Sequence, residues 1–326
     1  MSYQYFKILA TLTVAGLVTV PVPGQAEGAY PCKQITWIVP FSAGGGVDRT
    51  ARVIADKLAP TLGLPIAVET RPGASGAIGA QLVADSTPDG CTLLSTSSSL
   101  SVSQVIRGPE NYNLLTLTPV INIGELSYAL AVNTQNGVKT IEDLAAKAKE
   151  APGQIKYATS GRESVQSLLW AYLASKAGVE LTAVTYKGGG EQHVDMLANR
   201  VQLMATDIAQ MRSYIEAGQV AFIGVTAASR VPQLPEVPAV SEVFPGYEVA
   251  TTYGIAAAPG TPAELVERLN NEINKVLKDP AVIDTLTRDA LFVLKGGTST
   301  DYAQKLRDDI SLYRELARLA GVEVKG

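Results

Sequence analysis

The stretch "VPFSAGGGVDRTARVIADKL", Val39 to Leu58, joins an apolar run to a helix-period segment through three consecutive glycines. Ahead of it "ITWIV" (Ile35–Val39) reads as a strand, because β-branched and aromatic residues suit a half-buried pleat. Past the glycines, Val47, Ala51, Ile54, Ala55, Leu58 and Leu62 recur at helical spacing and define one buried face. Strand, tight turn and helix make half of a βαβ unit, so the fold class is α/β.

The same unit recurs downstream. "IAVET" leads through the Gly-rich "RPGASGAIGAQLVADS" into a helix, and "GCTLLST" is another strand. A second set begins at "SYALAVN" (127–133), where Thr140, three residues before Asp143, marks the start of a helix that ends at Pro152 and Gly153. "IKYATS" then passes through "GRES" into a helix, "LTAVTYK" through "GGG" into "EQHVDMLANR", and "VQLMATD" into "IAQMRSYIEAG". Mainly parallel sheets follow from this alternation. Ligands of open α/β sheets sit outside the carboxyl ends of the strands, so two such sets imply two facing domains with a cleft. "RVPQLPEVPAVSEVFPGYEV" (230–249) is broken by prolines and reads as a connecting loop, and the tail after "YGIAAAPGTPAELVERLNNEINKVLKDP" is strongly helical, with Pro262 well placed for a first turn.

Length and composition, 326 residues with 46% apolar and 18% charged, exclude a disordered or collagen-like chain. Lys7, the apolar run Ile8 to Val20 and "GQA" before Glu27 form a secretory signal peptide over residues 1–26, cleaved near Ala26. That run is short of the roughly 20 residues a membrane-spanning helix needs. Cleavage removes one lysine and no acid, taking the formal charge from −4 to −5, which argues against nucleic acid as a partner. Cys32 shortly precedes one strand and Cys91 begins another. If those strands are parallel neighbours, both cysteines lie at one sheet edge and can form a disulfide, the bond an exported chain retains. With only these two cysteines and one histidine, no metal site is expected.

The glycines do not form a phosphate loop. A Walker sequence ends in Gly-Lys-Ser/Thr, whereas Val47, Asp48 and Arg49 follow Gly46; the dinucleotide fingerprint needs a glycine where Arg49 stands. No nucleotide or other cofactor is therefore expected. A hydrolase would have to use Ser98 or Ser99 with His193, but no GxSxG elbow occurs and His193 falls in a helix pattern as a surface histidine. Asp308 and Asp309 read as a solvated helix face. What the loops offer is backbone N–H groups and hydroxyls, the means of holding a carboxylate without reacting with it. Gly44, Gly45 and Gly46 expose N–H groups at a helix start. Thr159, Ser160 and Ser164 offer hydroxyls, and Arg162 either meets a second carboxylate or pairs with Glu163. Tyr186 is placed to close over a ligand, and Asp207 either caps the next helix or binds a ligand hydroxyl or amine.

These segments resemble the Bug-type extracytoplasmic solute receptors of tripartite tricarboxylate transporters. The resemblance covers nearly all of the chain after residue 26 and rests on PF-x-AGG-x-x-D (Pro40 to Asp48), E-x-RPGA-x-G-x-IGA (Glu69 to Ala80) and "YKG" at Tyr186. It implies a periplasmic two-domain binding protein of the type II, Venus-flytrap kind, with an interdomain carboxylate site and no enzymatic activity. Residues 27–125 and 250–326 would form domain 1 and residues 126–249 domain 2, the chain crossing near Leu126 and returning near Ala250. Carried over, the resemblance places Phe41, Ala43, Gly44, Gly45 and the motif's Asp48 on one side of the ligand, Ser97 nearby, and Ser160, Ser164, Tyr186, Gly188 and Asp207 opposite.

The expected partners are a small di- or tricarboxylate or aromatic acid and the membrane subunits of a transporter, with the receptor a monomer. An orphan receptor feeding a signalling sensor is the alternative. Departures from the family pattern cluster on the ligand-selecting side. Glu163 stands where a glycine is common, Ser167 where a histidine is common, Thr252 for an aromatic, and "ENYNLLTLTPV" for an acidic segment.

Overall fold

In the computed structural model, residues 30–109, 112–161, 163–186, 189–288 and 290–325 are described. The expected signal peptide, Arg162 and Gly188 lie outside them. The chain begins with β1 (Ile35–Val39), α1 (Gly46–Leu62), β2 (Ile66–Thr70), α2 (Ala77–Ala84), β3 (Thr92–Ser97), α3 (Ser98–Arg107) and β4 (Thr118–Ser127). It continues with β5 (Ala129–Asn133), α4 (Ile141–Glu150), β6 (Lys156–Thr159), α5 (Val165–Ala177), β7 (Thr182–Thr185), α6 (Gly189–Leu197), β8 (Leu203–Thr206), α7 (Ile208–Glu216), β9 (Val220–Val225) and the short α8 (Val240–Val243). β10 (Ala250–Ala257), α9 (Ala263–Val276), α10 (Pro280–Thr287), β11 (Phe292–Leu294) and α11 (Ser299–Leu319) complete it.

Two sheets result, ordered β11-β4-β10-β3-β1-β2 and β7-β6-β8-β5-β9. They are mixed, not mainly parallel: β1 pairs in parallel with β2 and β3, and β6 with β7 and β8, but β10 runs antiparallel to β3 and β4, β11 to β4, and β5 to β8 and β9. The antiparallel members include the strands by which the chain passes between sheets. β4 and β5 are separated by Tyr128 alone, and β10 returns beside β4 with Ala250 opposite Ser127. β11 stands within the tail read as helical, a three-residue edge strand that a helical periodicity count does not register.

At the crossing, one threonine satisfies both passing backbones. The Thr226 hydroxyl accepts the Tyr128 N–H at 2.9 Å and donates to the Val249 carbonyl at 2.6 Å, while its own backbone pairs with Tyr128 and Val249. The Tyr128 hydroxyl in turn bonds Thr251 Oγ1 at 2.7 Å. Thr226 is fully buried, so none of these groups can turn to water instead.

Helices cover the sheets. α1 packs on β1, β2 and α9, and its face follows the expected spacing from Ala51 on, with Ala51, Ile54, Ala55, Leu58 and Leu62 buried, whereas Val47 is only half-buried. Ile38, Leu94 and Ala256 of the first sheet meet α2, α3 and the beginning of α11 through Tyr302 and Leu306. The later part of α11, Ile310 to Ala317, is buried instead with Leu130, Val132 and Trp170 of the second sheet's layer, and Tyr313 donates to the Ala250 carbonyl at 2.5 Å. α11 thus runs through both cores. Asp309, expected on a solvated face, is only 2% exposed: it accepts from Ser98 and pairs with Lys305, whereas Asp308 is exposed.

Local expectations hold in several places. Thr140 and Asp143 form the reciprocal capping box of α4, a contribution of about 1 kcal/mol. Cys32 and Cys91 are bonded, their Cα atoms 6.1 Å apart, because β1 and β3 are parallel neighbours with Thr36 opposite Thr92. We expect Thr226→Val, which keeps the shape and deletes the hydroxyl, to cost about 2–4 kcal/mol by orphaning two buried backbone groups. Thr226→Ser should stay within about 1 kcal/mol of wild type. Urea unfolding midpoints measure both, and an equally small effect of valine would contradict the role of the hydroxyl.

Candidate functional site

The β1–α1 turn is shaped by an aspartate that reaches backwards. Asp48, in the first turn of α1 and 3% exposed, accepts the Gly44 N–H at 2.9 Å. It also takes a two-pronged contact from Arg52, at 3.1 and 2.9 Å. This brace holds Gly44 at φ +78°, a left-handed conformation that glycine adopts without steric cost. Phe41 anchors the other end, its ring lying against Gly76 below the loop. The carboxylate of Asp48 is therefore directed into its own loop, and the Gly44 N–H is already used.

The helix start itself is left open. Gly45 is the N-cap of α1 and has no side chain with which to cap it. The first-turn N–H groups of an uncapped helix carry the positive end of its dipole. Two other helices differ: Ser164 caps α5 by accepting the Ser167 N–H at 3.1 Å, and Ser97 caps α3 by accepting from Ser99 at 3.3 Å.

Tyr253 comes to this opening because β10 pairs with β3, Tyr253 lying opposite Ser97. Its hydroxyl oxygen would be 2.9 Å from a Cβ placed on Gly46, so Gly46 is required by this close approach. Burial, with the negative charge of Asp207 among the lesser causes, raises the Tyr253 pKa, so the hydroxyl stays a donor at any physiological pH. No hydrogen-bond partner for it occurs among the described residues. Across from α1, Arg49 Nη2 lies 3.9 Å from Asp207 Oδ2 at the end of β8. The carboxyl ends of the two sheets approach each other at this pair. The Arg49 side chain is 45% exposed and that of Asp207 12%.

The second sheet's loops spend much of their hydrogen-bonding capacity internally. Ser164 is buried, and besides capping α5 its hydroxyl lies 2.7 Å from Thr159 Oγ1 and 2.8 Å from the Gly161 carbonyl. Exposed Ser160 donates to Gln166 at 2.9 Å and accepts from Gln192 at 3.3 Å. Tyr186 donates to Asp195 at 2.8 Å, and Arg200 braces the other oxygen of that carboxylate at 2.8 Å. Burial and the bond to Asp195 push the Tyr186 phenol up to about 12. Its ring borders an open hollow of about 450 Å³ with Gly190, Glu191, Val194 and Asp195. Glu163 accepts from Arg107 of α3 at 2.5 Å and from Ser103 at 3.4 Å.

No hydrolytic machinery assembles from the serines and the histidine. Ser98 is buried and its hydroxyl accepts the Thr252 N–H at 2.8 Å while donating to Asp309 at 3.3 Å. His193 is half-buried on α6, not a surface residue, with Nε2 enclosed and its pKa lowered by burial. Among the described residues no group of three His, Cys, Asp or Glu could hold a metal ion, and no helix is long and apolar enough to cross a membrane.

Sequence reasoning located the β1–α1 turn but missed Arg49, Tyr253 and Gln192. Arg49 counted only as the residue that broke a nucleotide motif, and Tyr253 reaches the turn only through the pairing of β10 with β3. The one available signal was the position of Arg49 beside the glycines.

Two outcomes test this geometry. Gly46→Ala should lower the melting temperature by crowding the Tyr253 oxygen, and the penalty should largely vanish in the Tyr253→Phe background, where the nearest ring carbon is 3.7 Å away. Additive losses would contradict the contact. For Asp48, burial acts to raise the pKa, but Arg52 and the Gly44 N–H outweigh it and hold the native value below the ordinary 3.8. Its stabilisation is complete above that ordinary value and is lost as the pH falls through the lowered native one. Asp48→Asn should therefore flatten the fall in melting temperature below about pH 4; an unchanged slope would count against the brace.

Comparison with known proteins agrees on one family. The family model described as tripartite tricarboxylate transporter family receptor matches residues 50–320. The UPF0065 protein in the tcbD–tcbE intergenic region of a Pseudomonas species is 38% identical over 86% of this chain and 84% of its own. Protein BugT of Bordetella pertussis is 30% identical over 94% of each chain. Among solved structures, R. palustris Rpa4515 with adipate superposes with a TM-score of 0.84 at 30% identity, covering 90% of this chain and 99% of its own. With two α/β sheets, an open helix N-terminus between them and this kinship, the chain belongs to the tripartite tricarboxylate transporter receptor family as a Bug-type solute-binding protein of the two-domain periplasmic kind.

Proposed function

We propose that this protein captures a small organic carboxylate, of the di- or tricarboxylate or aromatic acid class, and delivers it to the membrane subunits of a tripartite transporter. The observation that carries this reading is the uncapped start of α1, whose N-cap is Gly45. The first-turn N–H groups of Gly46, Val47 and Asp48 meet no side-chain cap, and the Tyr253 hydroxyl approaches Gly46. Such a set suits an anion, and exclusion of water on closure strengthens each charge-assisted bond. The adipate held by a structural neighbour supports the same class.

In this account residues 27–125 and 250–326 form one domain and 126–249 the other, hinged where Thr226 joins Tyr128 to Val249. Phe41, Ala43, Gly44 and Gly45 shape the carboxylate seat, with Asp48 as its brace and Ser97 beside it. Ser160, Ser164, Tyr186, Gly188 and Asp207 form the opposite wall, and Arg162 belongs to the same loop. The protein works as an exported monomer after cleavage near Ala26 and catalyses no reaction.

Calorimetric titration of the mature protein with succinate, adipate, citrate and benzoate tests this. At least one should bind saturably and, at about 100 times its Kd, stabilise the fold by roughly 2.7 kcal/mol. Val47→Pro removes one first-turn N–H where no intrahelical bond is lost, and should weaken that ligand about tenfold with little change in stability. Absence of binding across the panel and across other organic acids would overturn the reading.

A further inference from the structure

Resting on the carboxylate reading, we propose that Arg49 recognises a second carboxylate on the ligand, making the receptor selective for dicarboxylates over monocarboxylates, with Asp207 positioning the guanidinium over the cleft.

Three observations support it. First, among the described arginines named at these loops, Arg52 is spent on Asp48 and Arg107 on Glu163, both at hydrogen-bond distance, whereas Arg49 makes only a longer approach. Its approach to Asp207, at 3.9 Å, is longer than the roughly 2.7–2.9 Å of a charge-assisted hydrogen bond. Second, the two partners differ in freedom. The Asp207 side chain is 12% exposed and follows directly on a buried strand, whereas that of Arg49 is 45% exposed on the first turn of α1. Arginine is the member able to swing, and a planar guanidinium can turn one edge to a carboxylate while the other stays near Asp207.

Third, the charge balance favours a dianion. An aspartate in the wall of an anion site repels the ligand unless a cation accompanies it, and Arg49 supplies that cation. The α1 terminus takes one carboxylate, and the guanidinium, carried by the same first turn on a long side chain, meets the other. A ligand with a single carboxylate leaves Arg49 with Asp207 and gains nothing from it.

Matched pairs that differ by one carboxylate, succinate with butyrate and adipate with hexanoate, provide the test, with Kd values from calorimetry. Wild type should prefer the dicarboxylate of the better-bound pair by at least about tenfold, as one charge-assisted contact allows. Arg49→Gln should collapse that ratio to within about threefold while leaving the monocarboxylate Kd unchanged, and Arg49→Lys should keep part of the preference. Equal weakening of both acids in Arg49→Gln would mean that Arg49 only latches the domains, and would overturn the proposal. So would an unchanged ratio, or a collapse seen in Arg162→Gln but not in Arg49→Gln. Failure of wild type to bind any organic acid would overturn the carboxylate reading, and the role of Arg49 with it.

Discussion

The architecture depends on a hydrogen-bond junction at Thr226, where the outgoing and returning chains pass between two sheets. Tyr128 is the only residue between β4 and β5, so the crossing has no slack to absorb a missing partner. The Thr226 hydroxyl accepts from one passing segment and donates to the other, and Tyr128 reaches Thr251 on the returning strand. A crossing this short places the carboxyl ends of both sheets within reach of each other, which is how an arginine on α1 approaches an aspartate after β8. α11 adds a second link, since its two halves are buried in different cores.

Around the cleft, the division of hydrogen bonds decides what each loop can do. Hydroxyls that look available in the sequence are largely consumed: Ser164 by the cap of α5, Ser98 by Asp309 and Thr252, Tyr186 by Asp195. The first turn of α1 is the exception, because its N-cap is a glycine and its nearest acid, Asp48, turns back to Gly44. Open backbone donors are thus concentrated at the start of α1, while the loop after β8 brings a carboxylate that Arg49 approaches. This asymmetry fits the position of the family departures, such as Glu163, which ties the second domain's loop to α3 without entering the open helix start.

Much of this was legible from local sequence. Glycine runs, capping residues and apolar spacing act over a few positions, so the β1–α1 turn, the α4 capping box and the face of α1 could be read directly. The Cys32–Cys91 bond required only that two strands be parallel neighbours. What could not be read depends on pairing across long separations. Tyr253 matters because β10 lies beside β3, and Arg49 because α1 faces the loop after β8. Asp309 looks like a surface acid until Lys305 and Ser98 are seen around it. The mixed strand directions were hidden for the same reason, since an antiparallel crossing strand and a parallel buried one are equally apolar.

The central claim is that an anion sits on the open start of α1. The most direct measurement is a nitrogen–proton correlation spectrum of the mature protein titrated with a dicarboxylate that it binds. The amides of Gly46, Val47 and Asp48 should move downfield together and saturate with the calorimetric Kd, as expected for N–H groups donating to a carboxylate. Saturable binding that leaves those three amides unmoved would contradict the account.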